Sequence, residues 1–176
     1  MIKVVMDTSS LVSLEMIGLL RRALKIVEIT VPKVVVEELE EISKFSDPEG
    51  KAADSILKLI NERKISVVEI RNMKKVNRLL SSCVDEGEAS CLVCCVENDI
   101  KNLIMDDVDA AYELEGMALA GEIKLKISVA VVIELMSKKI ISKKTATSGI
   151  KKMIKLREWE GGVLEVLAKR YLEYIK

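Results

Sequence analysis

Histidine is absent from all 176 residues. That excludes an imidazole general base, a Ser-His-Asp triad and histidine metal ligands, and leaves carboxylates, thiols, hydroxyls and lysines for any chemistry. Aromatic residues are scarce, with one Phe, one Trp and three Tyr. The core must therefore be aliphatic, and an extended stacking platform for bases, which needs several exposed rings, is not expected. The four cysteines, Cys83, Cys91, Cys94 and Cys95, crowd together with no thiol elsewhere to pair with, which argues against a disulfide framework. No apolar run approaches the ~18 residues of a membrane span. The opening apolar segment is broken by Lys3 and ends at Asp7, too short for a signal peptide. The expectation is a soluble cytoplasmic protein with no membrane partner.

Net charge is missing as well: 28 Lys plus Arg cancel 28 Asp plus Glu. The cancellation hides a segregation. Ser82 to Gly116 holds ten acids against Lys101 alone, whereas Ser137 to Arg157 holds eight bases, Lys138, Lys139, Lys143, Lys144, Lys151, Lys152, Lys155 and Arg157, and no acid. What is present in quantity is aliphatic and charged side chain, 49% hydrophobic and 32% charged, enough to build and solvate a single globular domain.

Patterning along the chain alternates strand and helix. Residues 2–6 read as a short buried strand, and Asp7-Thr8-Ser9-Ser10 caps a helix behind it. Val27–Val31 predict a second strand, Pro32 suits a helical first turn, and a helix follows to about Lys44. Asp47-Pro48-Glu49-Gly50 predict a turn, and a charged amphipathic helix to Arg63, a strand over Ile65–Ile70, helices over 72–81 and 87–98, a strand over Asn102–Met105, a helix over 108–119 and a strand over Lys124–Val129 follow in turn. From Val131 the pattern is helical, with breaks near Ser142 and at Gly161-Gly162. Such alternation predicts an α/β fold, a short parallel sheet covered on both faces. Residues 1–140 form the domain, with 141–176 a helical C-terminal extension packed on it.

Acids fall at the carboxyl ends of two strands: Asp7 after the first, and the Asp106-Asp107 pair after the fourth. That edge is where ligands bind in open parallel sheets; a helix N-cap worth ~1 kcal/mol is the alternative for each. The helices discriminate further. At about 100° per residue, Glu38 shares a face with Val35, Leu39 and Ile42, while Glu37, Glu40 and Glu41 point away. Glu88 shares its face with Cys91, Leu92 and Cys95, although a first-turn acid also suits the helix dipole. Carboxylates on core-facing stripes are costly without a partner, and a hard divalent cation is a common counter-charge for such a set.

These residues, taken in order, resemble the PIN-domain family of metal-dependent ribonucleases, which includes the VapC-type toxins of toxin–antitoxin pairs. The likeness covers roughly residues 2–140 and four motifs: Asp7-Thr8-Ser9 after a strand, Pro32 through Glu38-Leu39, Asp85-Glu86-Gly87-Glu88-Ala89, and Leu103 to Asp107. The resemblance implies a three-layer α/β/α fold and an acidic pocket in which Asp7, Glu38, Glu88 and Asp106 hold Mg²⁺ or Mn²⁺ and hydrolyse RNA phosphodiesters. Ser9 would steady Asp7, and Asp85, Asp107 and Asp109 are the alternative or supporting acids. It also implies single-stranded RNA as substrate, a possible antitoxin protein and a homodimer. Many members carry Asp where Glu88 stands, and a basic residue often follows the acid pair where this chain has Val108-Asp109.

The eight bases of 137–157 are candidate RNA phosphate contacts; a solvated helix face is the plainer alternative. Cys91-x-x-Cys94 has zinc-ligand spacing, but on a helix Cys91, Cys94 and Cys95 are neighbours that suit core packing. A Toprim-like site would want a glutamate directly after an earlier strand, where Asp7 stands instead. A receiver domain would want its acidic pair early rather than late. A non-catalytic module of the same fold, binding RNA or protein, is the alternative to the enzyme.

Overall fold

The computed structural model describes residues 1–173. Five strands, β1 (Ile2–Met6), β2 (Val27–Pro32), β3 (Ser66–Val68), β4 (Asn102–Ile104) and β5 (Lys124–Lys126), form one sheet in the order β3-β2-β1-β4-β5. Every pairing is parallel, with Val4 opposite Ile29 and Met6 opposite Ile104. The strand order reverses between β1 and β4, so the crevice outside their carboxyl ends is the topological switch point. Central β1 is buried at Val4, Val5 and Met6, whereas β3 and β5 are edges of three residues each. Those two strands are shorter than the β-branched runs in the sequence predict, because an edge strand is paired on one side only.

The helices are α1 (Thr8–Met16), α2 (Leu20–Ala23), α3 (Lys33–Ile42), α4 (Pro48–Asn61), α5 (Met73–Leu79), α6 (Glu86–Glu97), α7 (Val108–Ala120), α8 (Val129–Ser137), α9 (Lys143–Leu156) and α10 (Val163–Glu173). Helix α6 lies against β1 and β2 and beside α7, while α1, α2, α8 and α9 pack together as a second group. Together with the all-parallel sheet, these give the expected three-layer α/β/α architecture. Pro32 differs from its expected role: it closes β2 and caps α3 in an extended conformation, at φ −70° and ψ 155°. With no N–H to donate, it ends the strand without a lost ladder bond.

Side chains at the sheet's carboxyl edge start the helices that leave it. Asp7 Oδ1 accepts from Ser10 N at 2.8 Å, and Asp107 Oδ1 accepts from Ala110 N at 2.8 Å. At α6, Asp85 accepts from Glu88 N at 2.9 Å while Glu88 Oε2 accepts from Asp85 N at 2.8 Å, a reciprocal capping box. Helices α9 and α10 pack on one another and on α8, and Ala146, Ile150, Met153 and Ala168 are buried in the common core.

The elbow between α3 and α4 sets how α3 enters the site. Gly50, in the first turn of α4, lies so close to the carbonyls of Phe45 and Ile42 that a Cβ there would overlap backbone atoms. Gly50→Ala should therefore destabilise the fold by about 1–3 kcal/mol, read as a lower urea midpoint with an unchanged slope.

Candidate active site

Asp7 is 4% exposed and Asp106 7% exposed, both at the end of a central strand and both carboxylates. The backbone ladder continues past the strands to hold them, with Asp7 N donating to Ile104 O at 3.2 Å and Met105 N to Lys126 O at 2.9 Å. Asp7 has both oxygens engaged, because Ser9 Oγ donates to Oδ2 at 2.7 Å while Ser10 N takes Oδ1.

Glu38 reaches the same edge from α3. Thr8 Oγ1 donates to its Oε2, and its Oε1 sits over Gly87 so closely that a Cβ on Gly87 would collide with the carboxyl group. Gly87 thus seats Glu38 on the first turn of α6. Glu37, Glu40 and Glu41 are exposed, as their positions on the helix require. Glu88, on the second residue after Glu86 in that turn, is half-buried and uses one oxygen in the capping box.

The two aspartates after β4 divide. Asp106 is turned toward α8: Ser128 N donates to Oδ1 at 2.8 Å and Ser128 Oγ to Oδ2 at 2.7 Å. Asp107 spends one oxygen on the α7 cap, and its charge, with that of Asp7, acts on Glu88. Asp85 acts on both Glu38 and Glu88. Asp109 is exposed in the first turn of α7 and is not among the charges that shift the inner carboxyls.

Burial is the main cause of perturbed protonation here. Desolvation, reinforced by Asp106, pushes Asp7 up to about 7, against the bonds from Ser9 and Ser10. Desolvation with Asp85, Asp107 and Asp7 pushes Glu88 to about 7. Glu38 and Asp106 are raised by burial too, and Arg157 supplies a favourable charge to Asp106 alone. The donor set, all carboxylate and hydroxyl oxygen, fits a hard divalent ion, and the mutual repulsion is what such an ion would relieve. Among the described residues no three Asp, Glu or Cys side chains are already gathered as ion ligands.

Thr8, Gly87 and Ser128 escaped the sequence reading. Thr8 and Gly87 lie inside the quoted motifs beside the acids, and Ser128 follows β5 at the same strand-end edge that singled out Asp7. The basic segment is rearranged. Helix α9 begins near Ile17 and Leu19, at the far end of α1, where Lys144 and Lys152 line a shallow pocket of about 310 Å³. It ends near the acids, with Met153 Sδ 3.2 Å from Ser128 Oγ. Lys138, Lys139, Lys143, Lys144, Lys151, Lys152 and Lys155 are exposed. Arg157 departs from the expected surface: its side chain is 17% exposed and paired with Glu49, because the chain turns inward at the buried Trp159. Cys91, Cys94 and Cys95 are buried free thiols, Cys94 pushed by burial to about 12. They pack in the core.

Acids gathered at the switch point of an all-parallel sheet mark a doubly wound α/β protein. A family model described as PIN domain matches residues 3–162. The chain belongs to the PIN-domain family, whose members are generally nucleases that use divalent metal ions. Comparison with curated proteins and with solved structures gave no match. Among the described residues no helix is long and apolar enough to cross a membrane.

The raised carboxyls carry a stability consequence. Between the ordinary carboxyl range near 4 and the folded value of about 7 for Asp7 and Glu88, the folded chain binds more protons than the unfolded one, so stability falls as pH rises through that window. The metal-free protein should melt several degrees lower at pH 8 than at pH 5. Asp7→Asn should flatten the slope, and Mn²⁺ should raise the melting temperature at pH 8 far more than at pH 5; thermal melts with and without the ion measure both.

Proposed function

We propose that this chain is a Mg²⁺- or Mn²⁺-dependent endoribonuclease that hydrolyses phosphodiester bonds in single-stranded RNA. One observation carries the reading: carboxylates from the ends of β1 and β4 and from α3 and α6 converge on the switch point, and among the described residues the charges that act on Asp7, Glu38 and Glu88 are acidic. Asp7, Glu38, Glu88 and Asp107 would hold the cation. Such a cation lowers the pKa of an attacking water and offsets charge on the leaving oxygen.

The chain's own groups do the rest. Ser9 and the α1 backbone hold Asp7 in one orientation, Thr8 and Gly87 hold Glu38, and Ser128 fixes Asp106 behind Asp7. Asp106 is therefore a positioning residue in this reading, and Asp107 takes the inner place that the resemblance gave to Asp106. The exposed Lys151 and Lys155, in the half of α9 that ends near the acids, would contact RNA phosphates and draw a polyanion to them.

Amide substitutions test this without emptying the caps, since Asn caps a helix as well as Asp. Asp7→Asn, Glu38→Gln and Asp107→Asn should each lower Mn²⁺-dependent cleavage of unstructured RNA by roughly a hundredfold or more, and Glu37→Gln should change little. Asp106→Asn and Ser128→Ala should lower the melting temperature as well as activity. Equal loss in Glu37→Gln and Glu38→Gln would defeat the assignment.

A further inference from the structure

A cavity of about 220 Å³ lies between α3, α6 and the segment that runs from β3 into α5. Its charged lining is Glu37, Glu69 and Glu86 against Lys33. Lys33 stands 3.7 Å from Glu37 in an ion pair, while Glu69 and Glu86 have no ion-pair partner among the described residues. Asp85 and Glu88 already answer the positive end of α6 through the capping box, which leaves the Glu86 carboxylate for a ligand. The rest of the wall is largely apolar, from Val34, Ile70 and Met73.

Ser90 also lines this cavity and is 2% exposed. Its hydroxyl makes no hydrogen bond to the described residues. A buried hydroxyl without a partner is costly, and a polar group entering the cavity is what relieves it. The wall is held in shape from α6, where Glu97 continues the helix face of Glu86 and Ser90. Glu97 accepts from Arg71 N at 3.1 Å and from Asn72 N at 2.7 Å, which pins the segment carrying Glu69, Ile70 and Met73 to that helix.

A compact hydrated metal ion fits this lining poorly. It needs about six oxygens around one point, whereas no three acids among the described residues are gathered as ion ligands and three of the wall side chains offer no oxygen at all. An alkyl chain with charged ends meets every part of it: methylenes lie along apolar side chains while the heads reach polar groups, as the stems of Lys and Arg do. Three carboxylates against one ammonium leave two negative charges, which calls for two positive heads.

We propose that this cavity binds a small linear organic dication, an alkyl chain bearing an ammonium or guanidinium at each end. One head pairs with Glu69. The other pairs with Glu86 and donates to Ser90 Oγ, four residues further along the same helix face, and the chain between them covers Val34, Ile70 and Met73. The inference stands apart from the nuclease reading, because none of these groups is among the acids given to the metal ion there. The two places adjoin, since the charge of Glu86 also reaches Glu38. By contrast, the cavity that α10 closes beside Asp107 carries one acid and one base, Asp107 and Lys126, and has no such excess of charge.

Putrescine would be titrated into the metal-free full chain at fixed ionic strength while backbone amide NMR shifts are followed, with butylamine as the single-headed control and Mg²⁺ as the compact dication. Saturable shifts at Ile70 and Ser90 are expected with putrescine. Butylamine should bind there roughly tenfold more weakly, and Mg²⁺ at equal concentration should not displace the diamine. Glu69→Gln and Glu86→Gln should each weaken putrescine roughly tenfold and Ser90→Ala severalfold, with circular dichroism confirming the fold. Butylamine binding as tightly as putrescine, displacement by Mg²⁺ at equal concentration, or affinity unchanged in both glutamine variants would overturn the site. Tighter binding of a short arginine-bearing peptide than of putrescine would overturn the free dication in favour of a partner's side chain. No cleavage is measured, so the outcome here and the fate of the nuclease reading are separate results.

Discussion

Carboxylates brought out of water beside one another repel, and the carboxyl edge of this sheet gathers several of them, with Arg157 among the described residues supplying a favourable charge at Asp106. Everything around that edge is arranged to hold acids in place without neutralising them. Backbone N–H groups at the starts of α1, α6 and α7 donate to Asp7, Asp85 and Asp107, and hydroxyls from Thr8, Ser9 and Ser128 donate to further carboxylate oxygens. These bonds favour the ionised forms, yet desolvation still wins at Asp7 and Glu88. A site left in that balance has a standing preference for a cation.

In the proposed function, capping and ion binding fall on the same side chains. Asp7 and Asp107 each start the helix that follows, so an acid that would bind an ion also fixes the direction of the element behind it. This explains why the crevice lies at the switch point: β1 and β4 are adjacent, and the helices after them leave to opposite faces. It also explains the role of Gly87, whose missing side chain lets Glu38 descend from α3 onto the start of α6.

The element order was readable because apolar periodicity and capping residues agree at almost every boundary. Buried β1 and the amphipathic α3 illustrate this, since the helical face test placed Glu38 inward and Glu37, Glu40 and Glu41 outward. The lengths of β3 and β5 were not readable, because β-branched runs say nothing of having a partner on one side only. Arg157 was grouped with seven lysines by charge alone, and its burial against Glu49 depends on a turn after α9 that places it under α4.

By itself, the sequence determined the alternation of strand and helix, the aliphatic core, the exclusion of imidazole chemistry and the candidate acids, since local periodicity and side-chain chemistry are properties of neighbouring residues. Only the tertiary structure decided that Asp106 of the pair turns toward Ser128 while Asp107 caps α7, that α9 runs toward the site, and that α10 closes a cavity beside Asp107. Those outcomes depend on contacts between residues about twenty to a hundred positions apart, whose strength comes from burial and geometry that no local pattern encodes.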